Sequence, residues 1–386
     1  MKKFIGLLKL EFKRIFSNSV LMAIFFGAPV GYGILFGFVY QQAKVKNLPI
    51  VIVDQDQSPA TDKIIDAFED NEGLDVKDVR TVPGNIKREM PVNQYIAVIT
   101  LPSDFEKDLL QKRHPEVRVD LNMANILNAN TASNHINTVL MTINAGIEIE
   151  GLKKQGIHPD QAMAAYESFK INFNKLYNST GNYVTFMLPG LLAAIMQQII
   201  FLAMALVFSR DFEDGYFGQL IQESKSSVYH IALKATPFLI MLPFMWLIIS
   251  LILTFFNVGV EVINFQMLIL TTLLTFASMF MGMLFSIAIP SQLKATELLM
   301  VISTPAFILS GFTWPTSAIP EVITNVARFI PVTQYLSGFR KVAFYGGDFA
   351  SIMPEIKFLT GIILVAVITM ILLLQFKINR LNRRQN

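Results

Sequence analysis

The chain has 386 residues, 53% of them hydrophobic and only 16% charged, where a soluble domain carries about 25% charged residues. That balance excludes an ordinary soluble protein and reads as a polytopic α-helical membrane protein. The net charge of +3 is too small for a nucleic-acid surface. The absence of cysteine excludes a disulfide framework, a thiolate metal site and a thiol nucleophile.

Residues 1–19 open with MKKFIGLLKLEFKRIF. Ile5, Leu8, Phe12 and Ile15 share one helical face, with Lys2, Lys9, Lys13 and Arg14 mostly elsewhere. This spacing predicts an amphipathic helix lying in the cytoplasmic membrane interface; the plainer alternative is the positive flank of a first span. Residues 20–40 are that span. The run is too long for a signal-peptide core and no small-residue cleavage site follows it, so it reads as a retained helix. Gly27/Gly31 and Gly33/Gly37 form two small-xxx-small pairs suited to close helix packing, a second copy being one candidate neighbour. Pro29 marks a kink.

Residues 41–182 read as an α/β segment. LPIVIVD is a buried strand, SPATDKIIDAFED a helix capped by Ser58 or Thr61, and YIAVITL a second strand. Ser103-Asp104-Phe105-Glu106 has the form of a capping box opening a helix through Leu109 and Leu110. VRVDL is a third strand. Long helices, from Asn125 to about Lys154 and over residues 159–177, lead back to the membrane. Asp54 and Asp56 admit a metal-pair reading, but Asp54 ending a strand and Ser58 capping the next helix is the simpler one.

Five further apolar runs follow within residues 183–376: 183–208, 235–256, 265–289, 298–314 and 358–376. Lys and Arg crowd the leader and the basic tail 377–386, so both termini are expected in the cytoplasm and the segment 41–182 outside. The spans are nearly free of ionisable groups, which argues against a proton- or sodium-coupled carrier and against an acid-ringed cation channel. No P-loop and no H-E-x-x-H occur. Uphill transport would therefore need a partner ATPase.

The cytoplasmic loop 209–230 is acidic against type, with Asp211, Glu213, Asp214 and Glu223 against Arg210 and Lys225. Gly215 breaks the helix, and Phe217, Leu220 and Ile221 form an apolar ridge that reads as a contact for such a partner. Beyond the fifth run, Gly311, Trp314, Pro315 and Pro320 end the helix. Two short amphipathic segments separated by Pro331 then read as re-entrant helices within 315–347, or as helices lying flat on the outer surface.

The stretch SGFTWPTSAIPEVITNVARFIPVTQYLSGFRKVAFYGG resembles the signature that follows the fifth span of type-2 ABC exporter permeases. Ser310, Gly311, Pro315, Pro320, Pro331, Arg340 and Gly346 meet its pattern. The loop resembles the family's R-E-x-E-x-G-T-x-x-x-L-L segment through Arg210, Asp211, Glu213, Gly215, Leu220 and Ile221, departing from it at Tyr216 and Ser224. VIVDQDQSPATDKIIDAF and YIAVITLPSDFEKDLL resemble elements of the branch with a long extracytoplasmic domain. The resemblance implies six transmembrane helices and a bacterial plasma (inner) membrane location. It further implies pairing with a second permease copy or a sister permease, and with cytosolic ABC ATPase subunits that hold the ATP and Mg. This chain would then carry no cofactor and no enzymatic activity of its own. Leader and loop would receive the ATPase's motion, the first and fifth spans would line the pathway, and an amphipathic or hydrophobic cargo would leave the cell. A periplasmic adaptor is a further partner by analogy. A membrane-anchored ligand sensor is the alternative function.

Overall fold

A computed structural model describes residues 2–42, 44–92, 94–158, 161–162, 177–178, 181–258 and 264–385. The helix expected over 159–177 lies almost wholly outside the described residues. The chain divides into two compact units: Met1–Ala43 with Lys175–Asn386, and Lys44–Asn174.

The first unit begins with α1 (Lys2–Phe16), whose last turn holds Lys13 and Arg14, where cations favour the negative end of the helix. α2 (Ser19–Met22) passes through a π-turn, Ala23–Gly27, into α3 (Ala28–Tyr40). Pro29 has no N–H to offer the carbonyl of Phe25, and the widened turn accommodates the loss by bonding Ala28 N–H to the Ala23 carbonyl. The break imposed by proline is thus absorbed one turn before it.

The second unit alternates β1 (Leu48–Asp54), α4 (Pro59–Glu69), β2 (Leu74–Arg80), α5 (Ile86–Val92), β3 (Ala97–Leu101), α6 (Phe105–Leu110), β4 (Arg118–Leu121) and α7 (Ile126–Lys154). Among the described residues the sheet runs β2-β1-β3-β4, with β1 parallel to both neighbours and β4 antiparallel to β3. Central β1 is buried on both faces, hence its unbroken Ile/Val run. Ile64 and Phe68 of α4, with Ala132 and Ile136 of α7, cover Ile50, Ile52 and Ile99. Met90 of α5 covers Val51, Val53 and Val98 on the other face.

Ser58 caps α4 in a reciprocal box with Thr61, and Asp54 Oδ2 accepts the Thr61 hydroxyl at 2.9 Å. The box expected at Ser103 does not form. Asp104 sits in the left-handed region at φ 63° without a side-chain cap. The Glu106 N–H instead donates across the fold to Asp56 Oδ2 at 2.9 Å. Asp54 and Asp56 are therefore committed to holding helix starts.

The first unit resumes with α8 (Tyr183–Glu213), α9 (Phe217–Glu223), α10 (Ser227–Phe255) and α11 (Phe265–Ala288). It continues through α12 (Gln292–Ser303), α13 (Ala306–Leu309), α14 (Glu321–Ala327), α15 (Pro331–Ala343) and α16 (Met353–Gln385). Asn182, Ser226 and Asn264 cap α8, α10 and α11 through their side-chain oxygens. Among the described residues, six helices are long and apolar enough to cross a membrane: Ala23–Tyr40, Tyr183–Glu213, Ser227–Phe255, Phe265–Ala288, Gln292–Leu309 and Met353–Arg383. The protein is a polytopic membrane protein. The third helix starts earlier than hydropathy suggests, which places Lys234 inside it. The fifth also starts earlier and breaks at Pro305, so Ser310 to Trp314 lie beyond its last turn.

Candidate functional site

At one end of the helical unit, three helices far apart in sequence meet in an ionic cluster. Lys234 of α10 is 3% exposed and Asp211 of α8 is 1% exposed. The Lys234 ammonium lies 2.8 Å from Glu11 Oε1 of α1 and in direct contact with Asp211. Arg14, one turn along α1, donates to Asp211 Oδ1 at 2.8 Å and stands 3.7 Å from Glu11. Its guanidinium stacks 4.3 Å from the ring centre of Tyr216, the residue after the Gly215 turn. Burial opposes the Arg14 charge, but the charge and hydrogen bond of Asp211, with Glu11 and Tyr216, together outweigh it and hold the guanidinium above its ordinary pKa. Burial, with the Glu11 carboxylate, pushes the Tyr216 phenol up. Two cations and two carboxylates thus neutralise one another where single buried charges would be costly.

The loop between α8 and α10 is built onto this cluster. Gly215 turns the chain at φ +71°, a conformation that suits glycine. Phe217, Leu220 and Ile221 are each no more than 3% exposed. The ridge expected to meet a partner is therefore turned into the bundle, where Phe217 packs edge-on against Phe212 and His230. The exposed side of α9 carries Gln219, Gln222 and Glu223, with Asp214 beside it. Glu213 accepts the Gln292 N–H at 2.8 Å and so caps the start of α12. Arg210 stands 3.5 Å from Asp214.

The abrupt end of the fifth span is explained by α15. Arg340 donates to the carbonyls of Gly311 at 2.9 Å and Phe312 at 3.1 Å, and its guanidinium faces the Phe312 ring. Gly311 turns at φ +79°, where an added Cβ would strike Thr316. The Ser310 hydroxyl donates to the Phe307 carbonyl at 2.6 Å and accepts the Phe312 N–H. Trp314, Pro315 and Pro320 are exposed, whereas Pro331 is buried as the first residue of α15. The N–H that follows it, on Val332, donates at 2.7 Å to Oε1 of Gln197, fully buried in α8. Glu355 of α16 binds Lys341 at 2.7 Å and Ser337 at 2.8 Å. An apolar cavity of about 610 Å³ is lined by Trp246, Met267, Thr271, Tyr335 and Phe339. It lies among α8, α10, α11 and α15 rather than between the first and fifth spans.

The two glycine pairs separate. A Cβ at Gly33 would meet Ile252 at 2.6 Å and one at Gly37 would run into the Phe256 ring, so this pair packs within the chain. Among the described residues, nothing lies within 4 Å of that position at Gly27 or Gly31. Gln197 is a polar residue of the second span expected to hydrogen-bond a neighbouring helix, and it does so with α15. The pairing of Glu11, Arg14 and Lys234 is not visible in the sequence, where the only local signals are an acid in a basic leader and a lysine beside an apolar run.

A family model described as ABC-2 family transporter protein matches residues 19–372. The chain is 24% identical over 366 residues to an Escherichia coli protein named inner membrane transport permease YhhJ, covering 89% of this chain and 91% of that one. It is 21% identical over 319 residues to the E. coli probable multidrug ABC transporter permease YbhR, covering 78% and 79% of the two chains. It is also 21% identical over 348 residues to ABC transporter G family member 20 of Dictyostelium discoideum, covering 88% of this chain and 46% of that protein. No solved structure matches.

Proposed function

Because the chain belongs to the ABC-2 family transporter proteins, we propose that it is the permease of an ATP-driven exporter in a bacterial inner membrane, powered by a separate cytosolic ATPase. One observation carries this reading: the ionic cluster joins the leader helix, the end of α8 and the start of α10 at a single point. A push on α9 would reach Tyr216 and Arg14 directly, and through them Glu11, Lys234 and Asp211. Three helices would then move together rather than one.

In this reading the ATPase docks on the polar side of α9, at Gln219, Gln222, Glu223 and Asp214, and the cluster faces the cytoplasm with both termini. In the same reading the segment 41–182 is extracytoplasmic, as the Lys and Arg of leader and tail imply. Gly27 and Gly31, together with the exposed Val301 and Ile308 of the fifth span, face a second permease. Arg340 and Gln197 hold the re-entrant α15 at the outer end of the pathway, satisfying backbone groups that lipid cannot. Cargo is amphipathic or hydrophobic, which suits both the apolar cavity beside Tyr335 and the multidrug name of one relative.

Reconstitution with and without the ATPase subunit tests the proposal. ATP-dependent efflux of a lipophilic dye is expected only with both. Asp214→Lys combined with Glu223→Lys, both on the exposed side of the loop, should abolish stimulation of ATP hydrolysis. Normal binding and stimulation by this double variant would overturn the docking assignment, and concentrative transport by the chain alone would overturn the function.

A further inference from the structure

Beside the ionic cluster is an open pocket of about 530 Å³ lined by Lys13, Arg14, Ser17, Asn18, Ser19 and Arg210. None of its lining residues is a carboxylate. We propose that it holds the phosphate-bearing headgroup of an anionic phospholipid of the inner leaflet.

The donors are in surplus. Arg14 is committed to Asp211 at 2.8 Å and also stands 3.8 Å from Asp214, which lies beside the pocket without lining it. Arg210 stands 3.5 Å from Asp214, through Nε, and its side chain makes no hydrogen bond among the described residues. The Lys13 ammonium has no ion pair there either. Asn18 uses its amide oxygen on the Leu21 N–H at 3.1 Å, leaving its NH₂ to donate. An ammonium, a guanidinium and an amide around one concavity form a phosphate-binding donor set, in which the guanidinium grips two oxygens at once.

Position selects the lipid over a soluble phosphate. Exposed Leu10 lines the pocket, exposed Phe16 precedes its Ser17 in the chain, and Ile5 lies further along α1. The first span begins at Ala23, and Arg210 is in the last turn of α8. The pocket therefore sits where apolar helix surface gives way to charge, the depth of a glycerophosphate group. A bound headgroup would bridge Lys13 to Arg210 and so join α1 to α8 a second time, beside the Arg14–Asp211 pair.

The experiment is native mass spectrometry of the purified full chain with phosphatidylglycerol or phosphatidylcholine added. It does not depend on the ATPase or on transport, so its failure is distinguishable from failure of the exporter reading. Wild type should retain one phosphatidylglycerol in preference to phosphatidylcholine. The double variant Lys13→Gln/Arg210→Gln should bind it about 25-fold more weakly, each of two cations near an anionic surface being worth roughly a factor of five. Lys9→Gln, exposed on the same helix outside the pocket, should leave retention unchanged. Equal losses from Lys9→Gln and from the pocket variant would reduce the effect to diffuse attraction and overturn the site. Displacement of the lipid by inorganic phosphate at matching concentration would assign a soluble phosphate and overturn the lipid.

Discussion

The ammonium of Lys234 lies 2.8 Å from Glu11 Oε1, across 223 positions of sequence, and both side chains are buried. Lys234 also neutralises Asp211, so its loss leaves two buried carboxylates to Arg14 alone. Lys234→Met should cost about 3–5 kcal/mol, the usual effect of removing one partner from a buried pair. Thermal unfolding of the purified chain in detergent would report it as a lowered midpoint. Adding Glu11→Gln should recover part of the loss. An unchanged midpoint in the single variant would mean that the cluster does not hold the three helices together.

Gln197 is tested through α15. Val332 is the first residue of that helix with an N–H, and Gln197 Oε1 is its acceptor. Gln197→Met keeps the volume and removes the acceptor, stranding a buried donor at about 1–3 kcal/mol. Cysteine labelling at Ser337, in a chain with no cysteine of its own, should become faster as α15 loosens. Unchanged labelling would show that another group anchors the helix.

The elements above were unequally legible. The spans stood out because about 20 apolar residues in a row have one ordinary explanation. β1 stood out for the same reason, as an Ile/Val run. β2 did not, because LDVKDVR buries only Leu74 fully and reads as polar loop. The ridge of Phe217, Leu220 and Ile221 was visible as amphipathic spacing, but spacing does not say whether an apolar face meets a partner or the protein's own core. The Ser103 motif failed for a related reason: the acceptor for Glu106 comes from Asp56, 50 positions away. Lys234 looked like a flank residue until the helix proved to begin at Ser227. Long-range pairing leaves little trace in local pattern, and the candidate site consists almost wholly of it.

The glycine pairs of the first span should respond differently. Gly37→Ala places a methyl group into the Phe256 ring, so it should destabilise the isolated chain by about 1–3 kcal/mol as overpacking does. At Gly31 no described residue lies within 4 Å of an added Cβ, so Gly31→Leu should leave the thermal midpoint in place while weakening self-association, measured by crosslinking in proteoliposomes. Loss of folding in Gly31→Leu, or unchanged association, would remove this face as a permease contact.

Asp56 supplies the pH dependence. Burial works against its charge, but the backbone N–H of Glu106, the Ser58 hydroxyl and the N–H groups of Phe105 and Asp104 outweigh it and hold the carboxyl below its ordinary pKa. A carboxyl depressed by folding contributes stability that is complete above its unfolded pKa of about 4 and is lost as pH falls through the lower folded value. The start of α6 should therefore loosen only below about pH 4. Hydrogen exchange over Phe105–Leu110, corrected for intrinsic rate, should lose protection in that range. Asp56→Asn keeps an acceptor but cannot titrate, so its protection should be weaker at neutral pH and flat through the acid range. A wild-type profile equally flat would show that Asp56 does not hold the helix start through its charge.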